Sequence, residues 1–164
     1  MTAEAPRIYL DANVLIAYVN AAPKRADMAQ SLLEDAEEGK AHLITSILSI
    51  AEVAYISNDQ QWSLPTFDDP AAIDELWAPE SPIKLAEFSR RVAHRARSII
   101  REARDNKTAR VRSADAVHLA TAEINGCHRF YTYERESIRT GWDALINATV
   151  SEPYTDAPRI PGIS

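Results

Sequence analysis

Hydrophobic positions along the chain change period several times, and each change marks an element. Residues 7–10, "RIYL", read as a short strand. The apolar spacing then turns helical through Val14, Leu15, Tyr18 and Val19, until Pro23 breaks it. A second helix is predicted over about 25–38, with Met28, Leu32 and Leu33 inward and Gly39 as its stop. "HLITS" (42–46) reads as a second buried strand, and Ser46 can cap a helix, "ILSIAEVAYIS", that ends near Ser57. Pro65, Pro70, Pro79 and Pro82 exclude a long helix from their stretch, but a short one fits after Asp69 and Pro70. Ser81 and Pro82 repeat that signature and predict the longest helix, 83–104. Its core stripe would be Leu85, Phe88, Val92, Ala96, Ile99 and Ala103. Ser113 caps a further helix, "ADAVHLATAEIN", which Gly126 ends. "HRFYT" (128–132) is a predicted strand, "NATVS" (147–151) is one more, and the three-proline tail 152–164 is expected to be extended.

Strands alternating with helices predict an α/β domain with a parallel sheet flanked by helices. In such sheets ligands gather beyond the carboxyl ends of the strands. Asp11, Ser46 and Glu134 each follow a predicted strand closely, and Ser46 opens the helix that carries Glu52.

Composition adds little to this picture. At 164 residues the chain is large enough for one domain with a real core, and 46% hydrophobic and 26% charged residues are ordinary for a globular protein. Cys127 is alone, so no internal disulfide forms; it reads as a small buried apolar residue and fits a reducing compartment. No apolar run approaches the ~20 residues of a bilayer span. "MTAEAPR" lacks a signal pattern, so a cytoplasmic protein without a membrane role is expected. The net charge of −6 at first argues against nucleic acid, but it is unevenly spread. Residues 84–112 hold ten Lys and Arg against three acids, a balance of +7 that leaves −13 on the rest. Arg90, His94, Arg97, Arg101 and Arg104 step by three and four and form one helical ridge. That ridge could grip RNA phosphates, receive an acidic partner, or pair with the chain's own acids or a second copy.

Four acids carry the candidate chemistry. Asp11 could simply cap the helix beginning at Ala12. Glu52 is the only charge in the apolar stretch 47–56, where it needs an ion-pair partner or a metal. Asp115 sits at a helix start and could serve the helix dipole. Glu134 lies just past a strand, with Glu136 close enough to compete for its role. Together, four carboxylates meeting at one end of a sheet would repel one another unless cations neutralise them. Hard divalent ions take oxygen ligands. There is no zinc-ligand spacing, no glycine-rich phosphate loop and no GxSxG elbow.

The stretches "YLDANVLIAYV", "ITSILSIAEVAY" and "SADAVHLATAEINGCHRFYTYE" resemble the PIN domain family, especially the toxin ribonucleases of VapBC type. The resemblance covers residues 7–140 in the family's order, and it implies a three-layer α/β/α fold with a central, mostly parallel sheet. It frames a single domain over 1–151, a proline-rich insertion at 62–82 and the tail 152–164. It also implies an endoribonuclease dependent on Mg2+ or Mn2+, leaving a 5′-phosphate and a 3′-hydroxyl. By position, Asp11, Glu52 and Asp115 match the family's first three acids. Thr132 and Glu134 match a fourth motif that is usually Thr-x-Asp, so the acid here is one methylene longer. The resemblance thus implies metal and catalytic roles for Asp11, Glu52, Asp115 and Glu134, with Asn13, Ser46, Thr132 and His118 orienting them. The implied partners are RNA and a cognate antitoxin, and either could meet the ridge residues Arg90, Arg97, Arg101 and Arg104; apolar faces on the first helices are compatible with a homodimer. One alternative is a catalytically weak or inactive PIN-like scaffold or RNA-binding module. Another is a phosphotransfer or receiver domain. It fits less well, because Asn13 replaces a second acid and no lysine follows "FYTYERES".

Overall fold

The computed structural model describes residues 3–54 and 70–156. Five strands form one sheet: β1 (Arg7–Leu10), β2 (His42–Ser46), β3 (Ile83–Ala86), β4 (Arg129–Tyr131) and β5 (Thr149–Ser151). Their order is β3-β2-β1-β4-β5, and every pairing is parallel. Among the described residues seven helices join them: α1 (Ala12–Val19), α2 (Arg25–Glu37), α3 (Leu48–Glu52), α4 (Pro70–Trp77), α5 (Arg90–Asp105), α6 (Ser113–Ile124) and α7 (Glu136–Asp143).

Alternation along β1 divides the core. Ile8 and Leu10 pack with Val14, Leu15, Leu32, Ile73 and Leu76 of α1, α2 and α4. Tyr9 points the other way and packs with Val92, Ile99, Leu119 and Trp142 of α5, α6 and α7. The result is three layers, helix–sheet–helix, with β1 buried on both faces as a central parallel strand should be. The chain leaves β1 towards β2 on one side and leaves β4 towards β5 on the other. The order therefore reverses between β1 and β4, and a crevice opens there beyond the strand ends.

Three expectations need correction. Residues 83–86 form the edge strand β3, and α5 begins only at Arg90, where Ser89 caps it by accepting from Val92 N at 3.2 Å. Pro82 lacks an amide donor, which suits the start of an edge strand. Four residues are also too few for alternation to compete with the helical stripe beyond them. Phe88, expected in that stripe, is 52% exposed. The helix after β2 spans only Leu48–Glu52, leaves helical geometry at Val53, and exposes 43% of Ile50. Glu52 is accordingly half-buried rather than sealed in an apolar helix, with 29% of its side chain exposed. Finally, α7 follows β4 unannounced: Ile138 and Trp142 carry its inward face, too few apolar positions to set a period.

Elsewhere the expected boundaries hold closely, including Pro70 at the start of α4 and Gly126, with φ +65°, just past α6. The expected continuation of the third helix through Tyr55, Ile56 and Ser57, the cap at Asp69, much of the proline-rich stretch and the tail beyond 156 lie outside the described residues. No helix among the described residues is long and apolar enough to cross a membrane.

Candidate active site

Asp11 is the first residue after β1, and its amide donates to Tyr131 O of β4 at 3.0 Å, which places it in the crevice. Its backbone stays extended, so its carboxylate turns back over α1, where Oδ1 accepts from Ala12 N at 2.8 Å. Oδ2 accepts from Thr132 Oγ1 at 2.8 Å. Thr132, fully buried just past β4, is itself held by two donors, Asn13 Nδ2 at 2.9 Å and Glu134 N at 3.2 Å. Asn13 Oδ1 accepts from Tyr133 N at 3.0 Å. The capping role and the functional role proposed for Asp11 therefore coexist: one oxygen caps the helix and the other is aimed by Thr132.

A second chain of hydrogen bonds reaches the crevice from β1 and β2. Ser46 N donates to Tyr9 Oη at 3.0 Å, and Tyr9 Oη lies 2.6 Å from His118 Nδ1. His118 Nε2 lies 2.6 Å from Glu52 Oε2 and 3.9 Å from Asp11 Oδ1. Ser46 Oγ accepts from Leu48 N at 3.1 Å, a cap one residue inside the expected start. Asp115 lies in the first turn of α6, where its Oδ2 accepts from Arg112 N at 2.9 Å.

Electrostatics tie these groups together. Burial raises the Asp11 pKa, and the charge of Asp115 adds to that rise; the charge of His118 and the bonds from Thr132 and Ala12 N oppose it. Burial works against protonation of His118, yet its pKa is raised overall by the bond to Glu52 and the charges of Asp11, Glu52 and Asp115. Tyr9 is pushed well above its ordinary value, by burial first and by Asp11 second. Three acids thus share one imidazole, and none of the three is paired with a lysine or arginine of the described residues.

The structure brings Asp11, Asn13, Ser46, Glu52, His118 and Thr132 into one network, with Asp115 within electrostatic reach. Glu134 joins it through backbone: its amide bonds Thr132, its carbonyl accepts from Arg139 Nη1 at 2.8 Å, and its carboxylate has no hydrogen bond or ion pair to a described residue. Glu136 opens α7 and is exposed. The donor chemistry is that of a hard divalent cation's ligands, since carboxylate oxygens predominate and no lysine or arginine of the described residues pairs with them, although His118 Nε2 engages Glu52. Among the described residues, no three His, Cys, Asp or Glu side chains stand where they could hold a metal ion together.

Arg90, His94, Arg97, Arg101 and Arg104 all lie exposed on α5. Arg104 pairs with Asp105 at 3.3 Å, whereas Arg90, Arg97 and Arg101 have no ion pair to a described residue. A shallow concavity beside them also presents Glu102 and Asp105. Tyr9 is the participant that pattern reading missed. A tyrosine in a strand buried on both faces must find a partner for its hydroxyl, and that need was the available signal.

A sheet of this order with acids in the crevice between β1 and β4 defines an α/β domain that concentrates negative charge at its switch point. The sequence matches the PIN domain family over residues 8–142, and the chain belongs to that family. Solved structures share the fold. FitAcB from Neisseria gonorrhoeae matches with a TM-score of 0.59 at 17% identity, covering 89% of this chain and 97% of that one. VapBC2 from Rickettsia felis, bound to a DNA fragment from its promoter, matches with a TM-score of 0.60 at 11% identity, covering 89% and 98%. VapC20 from Mycobacterium tuberculosis, a sarcin–ricin loop cleaving toxin, matches with a TM-score of 0.57 at 16% identity, covering 87% and 98%. No curated protein sequence matches the chain significantly.

Proposed function

We propose that this PIN domain is a metal-dependent endoribonuclease and the toxin of a type II toxin–antitoxin pair. The observation that carries the reading is Asp11: a buried carboxylate at the switch point, aimed by Thr132, raised in pKa, and facing the His118 imidazole with no lysine or arginine of the described residues paired to it. The structural neighbours support it, since one is a toxin that cleaves the sarcin–ricin loop and another is a VapBC protein bound to promoter DNA. Asp11 and Asp115 would hold Mg2+ or Mn2+, with Glu52 and Glu134 completing the site. When bound, such an ion supplies charge stabilisation at the scissile phosphate and acidifies a water. Thr132, itself held by Asn13, keeps the Asp11 carboxylate in place, Ser46 reaches the site through Tyr9, and Glu52 would accept a proton from the attacking water. Arg90, Arg97 and Arg101 offer positive charge to the RNA backbone, a contact that positions without reading sequence.

The test is cleavage of mixed cellular RNA with Mg2+, Mn2+ or chelator. Metal-dependent cutting that disappears in Asp11→Asn supports the reading; cutting at wild-type rate by that variant overturns it. In the same variant, replacing Arg90, Arg97 and Arg101 with Gln should flatten the dependence of RNA affinity on salt, by about 0.7 in log–log slope for each phosphate no longer neutralised. A second reading, a non-catalytic RNA-binding scaffold, draws on the engagement of Glu52 by His118 at 2.6 Å. It predicts RNA binding with no cleavage under any metal.

A further inference from the structure

We propose that Tyr9 and His118 are positioning residues for Glu52, forming a buried brace that presents this carboxylate to Asp11. The inference rests on the metal-dependent reading above and deepens it.

The geometry is a closed ring of contacts. Tyr9 Oη accepts from Ser46 N, at the junction of β2 and α3, and meets His118 Nδ1. His118 Nε2 meets Glu52 Oε2, at the far end of α3. One phenol therefore grips the last residue of β2, two before α3 begins, directly and the end of α3 through an imidazole. The helix needs such help: five residues are too few to be stable alone. The phenol is well fixed, because its ring is fully buried, stacks on Phe130 at 5.0 Å and meets His118 edge-on at 5.8 Å.

Donor and acceptor roles set the direction. Tyr9 Oη is already an acceptor for Ser46 N, so its own proton is free for His118 Nδ1. In the neutral ring this bond leaves the proton on Nε2, facing Glu52, and in the protonated ring Nε2 faces Glu52 as a donor as well. A purely structural Tyr–His pair would end on each other or on backbone. This one ends on a half-exposed carboxylate, with Nε2 only 3.9 Å from Asp11 Oδ1. The brace thus stands between the two acids and holds Glu52 in register with Asp11.

The test separates the two ring nitrogens. Asn at 118 can replace Nδ1 but not Nε2, and Gln can replace Nε2 but not Nδ1. Mn2+ is titrated calorimetrically into the RNA-free protein. Affinity should fall most, roughly ten- to a hundredfold, in His118→Asn, and by a smaller and similar factor in His118→Gln and Tyr9→Phe, which both keep a donor to Glu52 but lose the Tyr9 bond. Nitrogen-15 spectra taken at a pH where His118 is neutral should show the Nε2-protonated tautomer in the wild type and lose it in Tyr9→Phe. With RNA, kcat should fall in the damaged variants while KM holds. Equal Mn2+ affinity in the Asn and Gln variants, or an unchanged affinity and His118 spectrum in Tyr9→Phe, overturns the brace and leaves the nuclease reading standing. If His118→Asn does not fold, the other two variants decide. A wild-type protein that binds no Mn2+ overturns the metal-dependent reading and the brace with it.

Discussion

Arg95 and Asp11 anchor two charge clusters built on opposite logic. On α5, Arg95 spreads its guanidinium over both oxygens of Glu123 and over Leu145 O, with Glu102 nearby at 3.8 Å. One cation meets Glu123 in a two-point fork that fastens α5 to α6 and to the turn after α7. In the crevice, Asp11 and Glu52 face one imidazole with Asp115 in electrostatic reach, and none of the three is paired with a lysine or arginine of the described residues. A fold that needed only stability would neutralise those acids as it neutralises Glu123. The contrast separates charge that holds the fold together from charge that the proposed metal-dependent reading assigns to a ligand.

The largest expected effect breaks the crevice. Asp115→Asn keeps an oxygen for Arg112 N while deleting a charge that repels Asp11. Metal-dependent cleavage should fall by more than about a hundredfold, the upper range for residues that merely support ligands. The melting temperature should hold or rise. A fall in both would place Asp115 with the structural charges.

The converse variant is Arg95→Met. It leaves Glu123 half-buried without its fork, and losing hydrogen bonds to a charged group costs about 1.5–3 kcal/mol. Thermal unfolding should show that loss, while cleavage per folded molecule stays at the wild-type rate. A large loss of specific activity would mean that the two clusters are coupled.

The smallest effect sharpens the contrast through pH. Asp11 has a raised pKa in the fold, so its ionised form weakens the folded state and stability drops as pH climbs through that value. His118 is also raised, so its contribution is full below the unfolded imidazole's value near 6.5 and is lost as pH rises through the folded one. Both act in the same direction: the melting temperature should fall from mildly acidic to mildly alkaline pH. His118→Gln should remove the upper part of that slope, and saturating Mg2+ should flatten the curve by replacing protons as the neutralising charge. A flat profile without metal would show that the crevice acids are already neutralised.

Much of this arrangement is legible along the chain, for physical reasons. Asp11 stands where a strand period gives way to a helix period, and that junction alone places it at the sheet's carboxyl end. Asn13, Thr132 and Asp115 occupy equally distinct junctions. The edge strand β3 is hidden, because its four residues flow into a strong amphipathic helix and its solvent side has no alternation to show. Tyr9 is hidden differently. It reads as one more large apolar residue of a buried strand, and the partner of its hydroxyl lies 109 positions away. Glu52 stands out as a lone charge in an apolar run, but the run breaks at Val53, and the partner is an imidazole rather than an arginine.

The bond from Thr132 to Asp11 spans 121 positions, so it has a consequence for the life of the chain. While the polypeptide is being made, the segment with the first acid emerges early and the hydroxyl that aims it emerges late. Until β4 slots in beside β1, the crevice has only one wall, and the carboxylate has Ala12 N but no Thr132. A nascent chain therefore carries an unformed centre through most of its synthesis, and its chemistry can begin only after nearly all of the fold has been released.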